Sequence, residues 1–247
     1  MVQSAIVSRE LRYTSPEGTT LVGYLAMPEP AKGTLAGVVI CPEWWGVTEY
    51  PKQRADELAA QGYAALAIDV YGDAKVTEQA AQANEWMSEL TSNQNLLMQR
   101  AKAGLDALAA QPQVDPDKLA AIGFCFGGKI ALDMAREGFD LKGVASFHGN
   151  LSPKAPAQQG KVKAELLIQH GEQDSMVSLD DLEGFRQEMD AAQVRYHVDV
   201  YKGAKHGFTN PAADERARTN GVDLGFNAQA AQQSSQALDL FLARVLK

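Results

Sequence analysis

Short apolar runs of strand length alternate along this chain with longer stretches of helical period. LAGVVICPE, YAALAIDV, KLAAIGF, GVASFHG, AELLIQHG and VRYHVDVY read as strands. Residues 49–61, 77–90, 93–110, 179–192 and 227–245, together with FGGKIALDMAR, read as helices, the first of them closed by Gly62 as a C-terminal cap. The opening differs: LRYT and TLVGYLAMP flank the turn residues SPEGT and form an antiparallel pair. This alternation predicts an α/β fold, with about eight strands in a mostly parallel sheet and helices on both faces. Residues 152–161 and the Gly- and Asn-rich 202–223 read as the least structured stretches, and neither as a linker, so one domain over 1–247 is expected.

Composition narrows the function classes. The chain has 247 residues, 45% of them hydrophobic, enough for one large core. A formal net charge of −8, with Lys and Arg scattered rather than massed, argues against a nucleic-acid partner. The longest apolar runs are too short to span a bilayer, and the first twenty residues lack a basic start followed by an apolar run, so neither a membrane segment nor a secretory leader is expected. Two cysteines, Cys41 and Cys125, cannot make a disulfide framework and suit a reducing, cytoplasmic setting. No His/Cys cluster has zinc-like spacing, so no metal and no other cofactor is expected. The expected partner is a small molecule, and the chain is a monomer or homodimer.

The strand KLAAIGF runs into Gly123-Phe124-Cys125-Phe126-Gly127-Gly128 and then a helix, the G-x-nucleophile-x-G pattern. A bend this sharp brings backbone segments together, so small residues are needed two before and two after the nucleophile. The bend exposes the middle side chain at the carboxyl edge of the sheet, and the helix that follows aims its N-terminus there, favouring an anion. The N–H of Phe126 is then a candidate oxyanion-hole donor. The plainer alternative is a buried cysteine in a Gly-rich turn, which is the reading for Cys41. Gly123-x-x-x-x-Gly128-Lys129 also approaches a phosphate-binding loop, but Ile130 stands where Ser or Thr would bind Mg²⁺.

A base and an acid should follow the nucleophile in the order acid, then histidine. Of His148, His170, His197 and His206, only His206 lies in a Gly-flanked loop after the last strand. Asp174 sits just after AELLIQHG, at a carboxyl strand end, whereas Asp180 and Asp181 open a helix and read as capping or dipole residues. Cys125, Asp174 and His206 are the expected triad. A thiolate is a good leaving group, which favours activated esters, enol esters and lactones over peptides.

These segments, with Pro42-Glu43-x-x-Gly46, His170-Gly171-x-x-Asp174, His206-Gly207-Phe208 and Phe226-Asn227-Ala228-x-Ala230-Ala231, resemble the dienelactone hydrolase family, which has the α/β-hydrolase fold. The resemblance spans nearly the whole chain. It implies that Glu43 contacts the resting thiol and helps deprotonate it, and that the N–H of Trp44 completes the oxyanion hole. It also implies that Trp86 lies near the pocket; Trp45 and Phe208 are further candidates for substrate contact. One departure matters. Thr209-Asn210-Pro211 and Val76-Thr77-Glu78 stand where the family archetype carries arginines that clamp a substrate carboxylate. The expected substrate is therefore an activated ester or lactone other than the carboxylate-bearing dienelactone. Phosphotriester cleavage by the same thiolate is an alternative, as some family members attack such substrates. A hydrolase-fold protein that binds without chemistry is the alternative of another class.

Overall fold

The computed structural model describes residues 5–31 and 33–247; the expectation about a leader rests partly on residues 1–4, which lie outside them. One sheet of eight strands runs through the molecule in the order β1-β2-β4-β3-β5-β6-β7-β8. The strands are β1 (Ala5–Thr14), β2 (Thr20–Glu29), β3 (Leu35–Cys41), β4 (Ala64–Ala67), β5 (Val114–Phe124), β6 (Gly143–Phe147), β7 (Glu165–Gly171) and β8 (Tyr196–Tyr201). β1 and β2 pair antiparallel, β2 joins β4 antiparallel, and β3 through β8 are parallel. The mostly parallel sheet expected from periodicity is thus present.

Alternation along the central strands divides the core. Val38 and Ile40, Ala65 and Ala67, and Ala120 and Ile122 pack against α1 (Glu49–Ala60) and a long last helix spanning Ala228–Val245. Val39 and Cys41, Leu66 and Ile68, and Ala121 face the other side. There they meet α2 (Ala80–Ser92), α3 (Gln94–Ala109), α4 (Phe126–Arg136) and α5 (Leu179–Ala191). Parallel strands covered on both faces read as continuous apolar runs, which is why they were visible in the sequence. Asn93 caps α3 by accepting the N–H of Leu96 at 3.1 Å. Ser178 and Asp181 form a reciprocal capping box on α5.

One expectation fails. Within 202–223, one of the two stretches that read as least structured, α6 spans Ala213–Asn220. Ala213 is its only buried residue, so it carries no apolar stripe; its signals are Asp214 and Glu215 in the first turn and Gly221 in the left-handed conformation at its end. The last helix, Ala228–Val245, is then α7. Among the described residues no helix is long and apolar enough to cross a membrane.

After β4 the chain turns around buried Asp69. Its carboxylate accepts the N–H groups of Val22, Tyr71, Gly72 and Ala74 at 2.9–3.1 Å. The turn sets Tyr71, whose hydroxyl donates to the Trp44 carbonyl at 2.8 Å and so braces the segment after β3. Asp69→Ala strands three buried donors, those of Val22, Tyr71 and Gly72, and the part-buried donor of Ala74. We expect it to lower stability by about 3 kcal/mol or more, read as a lower urea midpoint at unchanged slope; an unchanged midpoint would contradict this role.

Candidate active site

Cys125 is the single residue between β5 and α4. Its backbone lies at φ 56°, ψ −117°, a region that strains an L-residue. The surroundings fix it there. Its N–H donates to the Phe147 carbonyl at 3.0 Å, and its own carbonyl accepts from Gly128 and Lys129 at 3.0 and 3.3 Å. A methyl group on Gly123 would lie 1.9 Å from the Gly127 carbonyl oxygen, and one on Gly127 would lie 1.9 Å from that of Cys41. The small residues of the bend are thus required by its contact with its own helix and with β3.

Asp174 follows β7. Its Oδ1 accepts the N–H groups of Met176 and Val177, both at 2.9 Å, leaving Oδ2 to face His206 Nδ1 at 2.8 Å. His206 Nε2 lies 3.0 Å from Cys125 Sγ. The loops bearing acid and base are joined, since Gln173 N–H donates to the Ala204 carbonyl at 2.9 Å. The structure therefore brings Cys125, His206 and Asp174 into one hydrogen-bonded line. Burial opposes a charge on the His206 ring, but the Cys125 sulfur and the Asp174 carboxylate together outweigh it, and the His206 pKa is pushed up to about 10.

Glu43 lies in the segment after β3 and is almost fully buried. Its Oε2 accepts from Asn210 Nδ2 at 2.8 Å. The Ala212 N–H donates to Asn210 Oδ1 at 2.9 Å, which turns the amide so that its NH₂ faces Glu43. Among the described residues no hydrogen bond joins Glu43 to Cys125; the carboxylate is bonded to Asn210. Burial raises the Glu43 pKa, although the Asn210 hydrogen bond and the charges of Arg216 and His206 pull the other way. Among the described residues, no acceptor takes the N–H of Trp44 or of Phe126, the two candidate oxyanion donors.

A cavity of about 290 Å³ opens over Cys125 and His206. Trp44, Phe126, Met87, Met176, Val177 and Leu224 give it a largely apolar wall, with Thr91, Lys129 and Asn150 as its polar side chains. Three expected contacts lie elsewhere. Trp45 is buried, edge-on to Trp44, with the Arg216 guanidinium 4.5 Å above its ring. Phe208 is fully buried between His148 and Tyr201, under the histidine loop. Trp86 packs on Tyr71, 5.3 Å between ring centres, while its neighbour Met87 takes the wall position. A broader depression of about 760 Å³ lies beyond Asn210, between α1, α6 and residues 76–79, away from Cys125.

Sequence reasoning missed several supports. His148 is buried beside His206, its ring centre 5.4 Å away, and shares a hydrogen bond of 2.9 Å with Thr209 Oγ1. Burial, and then the nearby charge on His206, hold its pKa well below the ordinary histidine range, so it supports the loop as a neutral ring. Thr209 and Asn210 were noted only for not being arginine; their polar side chains beside His206 were the available signal. Among the described residues no group of three or more His, Cys, Asp or Glu side chains is placed to hold a metal ion.

Comparison with known proteins identifies the family. The family model described as the dienelactone hydrolase family matches residues 21–246. The crystal structure of a dienelactone hydrolase-like promiscuous phosphotriesterase, P91, from metagenomic libraries is 34% identical, with a TM-score of 0.92 over 98% of this chain and 100% of that one. A structure called m3DLH is 36% identical, with the same TM-score and coverage. A Synechocystis sp. protein provisionally named carboxymethylenebutenolidase is 28% identical over 241 residues, 92% of this chain and 93% of its own length. With nearly all its length matched by the family model, the chain belongs to the dienelactone hydrolase family.

Proposed function

We propose that the protein is a cysteine-dependent hydrolase of activated carboxylic esters or lactones. One observation carries the reading: Cys125 Sγ, His206 and Asp174 form an unbroken hydrogen-bonded line at the mouth of an apolar cavity. The thiolate of Cys125 attacks the acyl carbon, with His206 as its imidazolium partner. Oxygen charge on the tetrahedral intermediate is met by the N–H groups of Phe126 and Trp44. The leaving group departs with a proton from His206. In the acyl-thioenzyme His206 has lost its anionic neighbour and serves as base for the hydrolytic water, its tautomer held by Asp174. Glu43, buried and raised in pKa, is suited to exchange a proton near the sulfur if its bond to Asn210 is broken on substrate entry.

The cavity lacks the paired arginines that would clamp a carboxylate, which favours an uncharged acyl group over the dienelactone acid. A free thiol as the working group suits the cytoplasm. A second reading is cleavage of neutral aryl phosphotriesters at the same sulfur, favoured by the likeness to P91. Binding without chemistry would give no reason for a thiol, an imidazole and a carboxylate to be aligned.

A panel of aryl esters, lactones and neutral aryl phosphotriesters, run on the wild type and on Cys125→Ser, tests both readings. We expect ester and lactone turnover to fall by a factor of about 10³ or more in Cys125→Ser. Full ester turnover in that variant would sink the nucleophile assignment, and phosphotriesters left intact while esters are cleaved would remove the second reading.

The pH dependence follows from His206. Its imidazolium persists until pH approaches 10, so kcat/KM for an aryl ester should hold through neutral pH and fall as pH rises through about 10. Asp174→Asn removes a charge and a favourable hydrogen bond, so the alkaline limb should move to lower pH and turnover should drop by about 10³ to 10⁴. An alkaline limb that stays in place in Asp174→Asn would contradict the coupling.

A further inference from the structure

The helix that begins at Cys125 is buried along its whole length, yet Lys129, Asp133 and Arg136 fall on one stripe of it. Lys129 Nζ lies 2.6 Å from Asp133 Oδ2, which also accepts from Gln94 Nε2 at 3.0 Å. Arg136 meets Asp133 Oδ1 at 3.1 Å, grips Glu188 through two bonds of 2.9 Å and donates to the Leu151 carbonyl at 2.7 Å. Two cations face two carboxylates, so the cluster is neutral overall. Lys129 is its end nearest Cys125 and lines the cavity. An ammonium has three protons, and Asp133 is the only acceptor that Lys129 Nζ meets among the described residues.

The other polar side chains of the cavity are already oriented. Asn150 Oδ1 accepts the Ser152 N–H at 2.9 Å, which leaves its NH₂ as a donor. The Thr91 hydroxyl donates back to the Met87 carbonyl at 2.9 Å, which leaves only its acceptor lone pairs. Two donor side chains therefore border a cavity whose remaining wall, apart from Thr91 and the reacting Cys125 and His206, is apolar. One helical turn, about 6 Å along the axis, separates Lys129 from Cys125.

We propose that Lys129 and Asn150 form a specificity site for the acyl chain, reading an uncharged oxygen acceptor such as a ketone or ester carbonyl a few bonds beyond the scissile carbonyl. The cluster behind Lys129 is charge-balanced, so a substrate carboxylate would add an uncompensated charge to a largely apolar cavity, whereas a carbonyl adds none. The inference rests on the ester-hydrolase reading and specifies the acyl group it takes.

The test compares aryl esters of pentanoic acid, 4-oxopentanoic acid and the half-ester of pentanedioic acid, each rate divided by that of uncatalysed hydrolysis. The readout is the kcat/KM ratio of the 4-oxo ester to the pentanoyl ester within each enzyme, which does not depend on how much of a variant is folded. In the wild type we expect a ratio of about ten, expressed mainly in KM. Lys129→Met should bring it close to one, Lys129→Gln should keep part of it, and Asn150→Ala should lower it. A wild-type ratio of one or less, a preference for the half-ester, or an undiminished ratio in both Lys129→Met and Asn150→Ala would overturn the proposal. Failure to cleave any of the three esters would instead overturn the hydrolase reading itself.

Discussion

The site depends on one close approach: the backbone of the first turn of α4 presses against the end of β3, where Gly127 leaves no room for a side chain beside the Cys41 carbonyl. That contact allows the chain to reverse within one residue and holds Cys125 in a strained backbone conformation. It also sets neighbouring segments side by side. The residues after β3, which supply Glu43 and Trp44, lie against the beginning of α4, which supplies Phe126. β6 secures the bend from the opposite flank through the Phe147 carbonyl.

The chemistry is then a matter of what stands around a sulfur at the start of a buried helix. Asp174 spends one oxygen on two backbone donors and the other on His206, so the imidazole is aimed from behind. His148 and Thr209 hold the same loop from a third direction. Asn210 holds Glu43 Oε2, and among the described residues the hydrogen-bond partner of the Cys125 sulfur is His206. A neutral amide in that place holds the carboxylate by hydrogen bonding without adding a charge, and burial raises the Glu43 pKa even with Arg216 nearby.

Much of this was legible in the sequence, for identifiable reasons. Parallel strands covered on both faces announce themselves as apolar runs, and a bend that tolerates only small residues writes its glycines at fixed positions. The order of Asp174 and His206 after Cys125, each just beyond a strand, fixed their place at one edge of the sheet. The polar helix α6 was hidden because it buries a single residue. Trp45 and Phe208 were misjudged because an aromatic beside a catalytic motif is as readily a prop beneath it as a wall around it, and only side-chain direction separates the two. Asn210 escaped because its partner Glu43 is distant in the chain, and Lys129 because its own partner, Asp133, makes only a local helix pair while tertiary packing alone places it on the cavity wall.

The central claim is that Cys125 carries the acyl group during turnover. Rapid acid quenching during turnover of an aryl ester, followed by peptide mass spectrometry, measures this directly. The account predicts the mass of the acyl group on the peptide containing Cys125 and on no other. An acyl group on another residue, or no covalent adduct under any quench while the ester is being hydrolysed, would contradict it.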